Sequence, residues 1–222
     1  MTERALTDFE QVLLGMVISQ PRSGYELKKL FTVTPAAAYR PSSGALYPAL
    51  RRLEQRGLLR VETAPSAGRR NRKVWHPTED GLTEHLSWIR QPVQSDRIVH
   101  DLPLHLMRFV LMETVAPREE VLAFLADLID GLEQFVKGME VYADEAARRL
   151  PGRHPLLALR HGIVVHQASL DWARATAAEL AAELGGLIES TVRHAISSRA
   201  ADGVEAEVAG QRRAAEQFRA VA

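Results

Sequence analysis

The sequence predicts a mainly α-helical protein in two parts. The N-terminal part is a small domain of helices with one β-hairpin, a winged helix-turn-helix arrangement. The C-terminal part is an antiparallel pair of long helices that serves dimerisation. Three observations lead there. Residues 42–57 read as a helix, followed at once by two short strands around a basic turn. Residues 117–187 carry apolar side chains at alternating spacings of four and three, interrupted by Pro151 and Gly152. Charge divides near the same border: residues 1–90 hold 14 basic and 9 acidic side chains, residues 91–222 hold 14 and 19. The expected domains are 1–92, 93–196 and a weakly helical or disordered tail, 197–222.

Composition narrows the function. No apolar run approaches the ~20 residues of a membrane span. The start, MTERALTDFE, lacks the charged-then-apolar pattern of a secretory signal. Cysteine is absent, so disulfides and thiol-based catalysis, redox sensing or metal binding are excluded. An intracellular, cytoplasmic protein is expected.

The chain opens with Thr7-Asp-Phe-Glu10, a capping box in which threonine and glutamate satisfy each other's free amides. The helix it starts places Phe9, Val12, Leu13, Met16 and Val17 on one side and stops at Gln20-Pro21. Ser23-Gly-Tyr-Glu26 repeats the box and begins a second helix, through about Phe31. Lys28 and Lys29 on that helix fit either phosphate contact or a solvated surface. The connection 32–41 contains Pro35 and Pro41, and reads as a loop.

In the third helix Ser42 or Ser43 fits the cap and Gly57 the left-handed stop. Leu46, Ala49, Leu50 and Leu53 recur at helical spacing as the buried stripe. About 100° per residue sends Gly44, Pro48, Arg51, Arg52 and Gln55 to the other side, with Ala45 and Tyr47 flanking. Strands at Leu58 to Thr63 and Lys73 to Pro77 follow, with Pro65 to Gly68 supplying the turn and Arg69, Arg70, Arg72 and Lys73 the charged tip. Nine basic residues against two acidic ones lie between Arg40 and Lys73. A polar helix face beside a cationic hairpin is the plan of a winged-helix reader of double-stranded DNA, the helix entering the major groove and the wing neutralising phosphates. Thr78 then caps a fourth helix, Glu79 to about Gln91, with Leu82, Leu86 and Ile89 as its apolar members and Trp88 alongside.

The runs LLGMVISQPRSGYELKKLF, SSGALYPALRRLEQRGLL and GRRNRKVWHPTEDG together resemble the N-terminal domain of PadR-like transcriptional regulators, over roughly residues 9–92. The resemblance implies a winged-helix repressor, homodimeric through its C-terminal helices, that binds a palindromic operator and is released by a small ligand. Ala45 stands where many members carry threonine, which takes a hydroxyl away from any base-edge contact there.

A short apolar helix, Leu102 to about Met112, is expected between the parts. Pro117 suits a helix start, and Val121, Leu125, Leu128, Leu132, Phe135, Met139, Tyr142 and Ala146 form a heptad seam. Leu159, Ile163, His166, Leu170, Ala173, Ala177, Leu180, Leu184 and Leu187 form a second. Helices of ~30 residues would make a hairpin about 45 Å long. Further apolar positions at Leu122, Ile129 and Val136 supply a second stripe. Leu122, Leu125, Leu128, Ile129, Leu132, Val136, Leu170 and Leu180 are thus expected to join a second copy, although both stripes also fit inside one chain.

Catalytic patterns are missing. His100 and His105, like His161 and His166, are five apart, about 140° around a helix and unsuited to ligating one metal. No zinc-protease, phosphate-loop or serine-hydrolase motif occurs, so neither metal, cofactor nor enzymatic activity is expected. His166 interrupts an apolar seam, where a polar group fixes register or senses a ligand. Trp88, Phe109, His166 and Trp172 are candidates for an effector pocket that would take a small hydrophobic or aromatic molecule, although aromatic residues at helical spacing equally make plain core. For DNA, the expected contacts are Arg51, Arg52 and Gln55 in the groove, and Ser42, Ser43, Gly44 and Tyr47 at the helix start. Tyr25, Lys28 and Lys29 join them from the second helix, and Arg69, Arg70, Arg72 and Lys73 from the wing. A winged-helix fold that binds protein in place of DNA is the competing reading.

Overall fold

A computed structural model describes residues 4–33, 43–64, 72–94, 97–149 and 152–219. In chain order the elements are α1 (Asp8–Ser19), β1 (Arg22–Ser23), α2 (Gly24–Val33), α3 (Ser43–Gln55), β2 (Leu59–Ala64), β3 (Arg72–Pro77), α4 (Glu79–Ile89), α5 (Ile98–Met112), α6 (Arg118–Arg149) and α7 (His154–Arg219). Residues 1–175 form one compact unit and 176–222 a second, which continues α7. The stretch expected as a weak tail from residue 197 is helical to Arg219.

Both capping boxes form. Thr7 Oγ1 accepts from Glu10 N while Thr7 N donates to the Glu10 carboxylate at 3.0 Å. Ser23 N donates to Glu26 at 2.9 Å, and Ser23 Oγ lies 3.4 Å from Glu26 N. An N-cap of this kind stabilises a helix by ~1 kcal/mol. α3 ends in a Schellman turn: Leu58 N donates to Leu53 O and Gly57 N to Glu54 O, both 2.9 Å, with Gly57 at φ 72°.

α1 is more central than one apolar face implies. Every residue from Glu10 to Val17 is buried, because α3, α4, α5 and β3 all pack on it. A helix enclosed on all sides needs apolar or small residues all round. Gly15 provides one close approach, where an added Cβ would stand 2.4 Å from His85 Cε1.

The hairpin is one strand larger than expected. β2 and β3 pair antiparallel from Leu59↔Pro77 to Ala64↔Arg72. β1 adds to the other edge of β3 through Arg22↔Trp75 and Ser23↔Val74, so the sheet order is β1-β3-β2. The sheet thereby anchors the cap of α2 to the middle of β3.

The rotation of α4 also differs from expectation. Its inward residues are Gly81, His85, Trp88 and Ile89, while Leu82 is exposed and Leu86 only half-buried. Thr78 sets this phase: its hydroxyl donates to Gly57 O at 2.6 Å and accepts from Gly81 N at 3.0 Å. A Cβ on Gly81 would lie 2.1 Å from the Leu58 carbonyl oxygen, so only glycine lets the first turn of α4 sit against the end of α3.

α6 and the adjoining part of α7 run antiparallel. Met139 meets Gly162, Phe135 meets His166, and Glu133 pairs with Arg174, so one number rises as the other falls. The buried residues of α6 are Val121, Phe124, Leu125, Leu128, Leu132, Val136, Ala143 and Ala146. Phe135 and Met139 are half-buried and Tyr142 is exposed; Val136 and Ala143 take the inner places of Phe135 and Tyr142, while Ala146 keeps its own. A straight helix drifts about 20° per heptad from a 3.5-residue repeat, and both replacements have that sense.

Candidate nucleic-acid interface

α2 and α3 present one surface, joined by a tyrosine. Tyr47 lies over Gly24, where an added Cβ would meet its ring at 2.6 Å, and the residue is 50% exposed. Tyr25, the residue after Gly24, is 75% exposed, so each of the two helices carries an exposed phenol. The S-G-Y-E-L run thereby acquires a physical meaning. Ser23 caps α2, Gly24 admits Tyr47, Tyr25 faces solvent, Glu26 closes the box and Leu27 is fully buried.

Along α3 the expected division holds. Leu46, Ala49, Leu50 and Leu53 are buried to within 1%. Gly44, Tyr47, Pro48, Arg51, Arg52 and Gln55 are exposed, as are Lys28 and Lys29 on α2 and Arg72 and Lys73 on β3. Ser42, Arg69 and Arg70 lie outside the described residues, as does the side chain of Ser43.

Two of the expected cationic contacts have partners inside the protein. Arg52 Nε donates to Glu10 Oε1 at 2.6 Å, tying α3 to the cap of α1. Arg72 Nη2 donates to Glu26 Oε2 at 2.7 Å, tying β3 to the cap of α2. Burial works to raise the Glu10 pKa, but the hydrogen bonds from Thr7 and Arg52 outweigh it and hold this carboxyl below the usual range. The Ser23 backbone amide does most to lower Glu26, against its own desolvation, and Arg72 adds to it. Sequence spacing shows the capping boxes but not these arginine partners, which arrive from 42 and 46 residues away.

The four aromatic and histidine candidates for an effector pocket take part in separate ring contacts. Phe109 and Trp172 meet edge to face, ring centroids 5.5 Å apart. His166 sits edge-on to Phe135 at 5.0 Å. Trp88 belongs elsewhere, beside His85 and beneath the Arg108 guanidinium. Arg108, which sequence reading passes over, is buried; it donates to the carbonyls of Ile89 and Gln91 and lies 5.0 Å over Phe124. Burial lowers its pKa to about 10 against the opposing charge of Asp127. A cavity of about 300 Å³ opens beside it, lined by Trp88, Leu104 and His105 among others. A second, of about 330 Å³, has Met112, Phe124 and Asp127 on its wall. Phe109, His166 and Trp172 line neither of these two cavities.

The stripe expected to join a second copy is divided. Leu125, Leu128, Leu132 and Val136 of α6 and Leu170 of α7 are buried within this chain, whereas Leu122, Ile129 and Leu180 are half-buried. Val141, Tyr142, Leu157, Val164 and Val165 are large apolar groups left exposed on α6 and α7. Among the described residues no helix is long and apolar enough to cross a membrane, and no cluster of metal-ligating side chains occurs.

Comparison with known proteins finds transcriptional regulators. A probable transcriptional regulator of Mycobacterium tuberculosis is 26% identical over 172 residues, covering 72% of this chain and 90% of that protein. Among solved structures, Bacillus subtilis PadR in complex with operator DNA is 15% identical, covers 78% of this chain and 99% of that one, and superposes with a TM-score of 0.37. A PadR-like transcriptional regulator from Bacillus cereus is 21% identical, covers 81% and 99%, and gives 0.36. The family model described as the transcriptional regulator PadR-like family matches residues 13–85, the stretch that holds most of α1, all of α2 and α3, the sheet and the start of α4. Over residues 13–85 the chain is thus similar to the PadR-like family of transcriptional regulators.

Proposed function

We propose that the protein represses transcription by binding a palindromic operator in double-stranded DNA as a homodimer, and that a small aromatic molecule releases it. The observation that carries this reading is the exposed polar face of α3, with Arg51, Gln55 and Tyr47 outward and four apolar residues buried behind. An α-helix fits the major groove, and arginine is the commonest specific partner of guanine there. Lys28, Lys29 and Lys73 add positive charge on the neighbouring elements, where phosphate contacts fix register.

For the dimer, support comes from Val141, Tyr142 and Val164, each more than half exposed. Exposed apolar surface, where it is contiguous, marks association sites. A two-fold dimer matches half-sites ~34 Å apart or a multiple of it. For release, support comes from the cavity beside Trp88, His105 and Arg108, whose volume of about 300 Å³ reaches the size of small-ligand pockets. Its walls offer an aromatic face and a cation.

The test is fluorescence anisotropy of the full chain on a duplex from immediately upstream of its own coding region, at several salt concentrations. Binding that beats a shuffled duplex and weakens linearly in log salt supports the reading. Equal, salt-independent behaviour on both duplexes contradicts it.

A further inference from the structure

The two capping boxes are built alike, and each does a second thing. In the first, the Glu10 carboxylate accepts from Thr7 N and Thr7 Oγ1, both at 3.0 Å, and then from Arg52 of α3. In the second, the Glu26 carboxylate accepts from Ser23 N at 2.9 Å and Ser23 Oγ at 2.8 Å, and then from Arg72 of β3. A capping box requires only the bond back to the cap. The arginines are extra, and they come from the two elements that carry the polar surface: the third helix, and the end of β3 nearest the wing's turn.

Neither arginine is hidden by its pairing. The Arg52 side chain is 53% exposed and that of Arg72 48%. A guanidinium has five N–H donors in a fixed fork, and the carboxylate contact engages one nitrogen of each. The remaining edge is oriented by the occupied one. An unheld arginine on such a surface would seek phosphate of any sequence, because that attraction is purely electrostatic. A held one carries a compensated charge in a set direction.

We propose that Glu10 and Glu26 are positioning residues for DNA recognition, each holding one arginine of the reading surface so that Arg52 and Arg72 favour sequence-specific geometry over indiscriminate phosphate binding. This rests on the DNA-binding reading above. Both carboxylates are equipped for that role. Hydrogen bonds from their caps and their arginines keep them below the ordinary carboxylate pKa, so both are charged at neutral pH. The device also couples folding to function, since the cap that starts a helix also aims its neighbour's cation.

Glutamine separates the two roles. In Glu10→Gln and Glu26→Gln the side-chain carbonyl still accepts from the cap residue, as glutamine does in natural capping boxes, but the charge that holds the arginine is gone. The experiment measures anisotropy of full-length wild type and each variant on the upstream duplex and on its shuffled counterpart, from low to high salt, with melting curves alongside. Each variant is expected to keep its melting midpoint within a few degrees and to bind the shuffled duplex several-fold tighter. Its salt slope should steepen by about one unit for the freed arginine. The preference for the upstream duplex should fall several-fold, and adding Arg52→Gln or Arg72→Gln to the matching variant should remove the extra slope. An unchanged slope and preference overturn the proposal. So does weaker binding to both duplexes in step with a lowered midpoint, which would make the glutamates structural only. If wild type binds neither duplex, the underlying DNA-binding reading fails, a result visible before any variant is made.

Discussion

The winged-helix half gathers its apolar residues inward around α1, whereas the α6–α7 pair leaves large apolar groups in the open. In the first, Val12, Leu13, Leu14 and Val17 have no exposure, and what faces solvent on α2 and α3 is phenol, ammonium, guanidinium and amide. In the second, Val164 is 66% and Val141 62% exposed on helices whose inner side is already filled by Leu125, Leu128 and Leu132. Burial of apolar surface is the main favourable term in folding and association alike. The contrast separates a domain complete in itself, with a polar face to offer, from an arm with apolar surface still to cover.

If the first region is packed to completion, small additions there should be costly. Gly81→Ala drives a Cβ to 2.1 Å from the Leu58 carbonyl, and backbone cannot swing aside. A loss of at least ~3 kcal/mol is expected in chemical denaturation, the upper range for overpacking. On α6, Gly138 has nothing within 4 Å of the added methyl, so Gly138→Ala should stabilise the helix by about 0.5–1 kcal/mol. Equal effects at the two glycines would remove the contrast.

Acid should strike the winged half and its junction with α5 first. Burial lowers His85 from 6.5 to about 4, and burial together with Arg108 does the same to His105 against the pull of Asp101. Between those values the unfolded chain binds protons that the folded chain refuses, so stability falls as pH drops from 6.5 to 4, by on the order of 3 kcal/mol for each ring. His85→Leu should flatten that slope by its share. The Glu10 and Glu26 contributions have the opposite origin. Their folded pKa values lie below 4.5, so their stabilisation is present above that pH and is lost only as pH falls through the lower folded values. A melting midpoint flat from pH 7 to about pH 4.5 would contradict the assignment of the two histidines.

The arm responds to a different change. Val141→Glu with Val164→Glu places charge on surface already in water, so the monomer's stability should move by no more than about 0.5 kcal/mol. Light scattering, in contrast, should show a dimer becoming a monomer. A wild type that is monomeric at micromolar concentration would contradict dimerisation through these exposed side chains.

How much of this is legible beforehand follows the range of the interactions. Caps and stops are local, so Thr7, Ser23, Gly57 and Thr78 are readable as helix boundaries, and all four act as such. The buried stripe of α3 is readable from its period. β1 is not, because two residues, Arg22 and Ser23, carry no strand pattern and are a strand only through their pairing with Val74 and Trp75. The phase of α4 escapes a reading by hydrophobicity, which favours Leu82, while backbone contact at Gly81 decides the rotation. Arg52 and Arg72 read correctly as surface cations, but a carboxylate supplied from another helix start leaves no mark in local spacing. Buried Arg108 and His85 are invisible for the same reason.

The absence of cysteine makes the central claim directly measurable, since a single introduced thiol is the only one in the chain. Gln55→Cys places it on the exposed face of α3, and Leu82→Cys places it on the outer side of α4. The rate of alkylation of each is followed with and without saturating upstream duplex. Strong protection at position 55 with none at 82 is the predicted result. Full reactivity at position 55 in the DNA-bound protein would contradict the assignment of α3 as the element that meets the duplex.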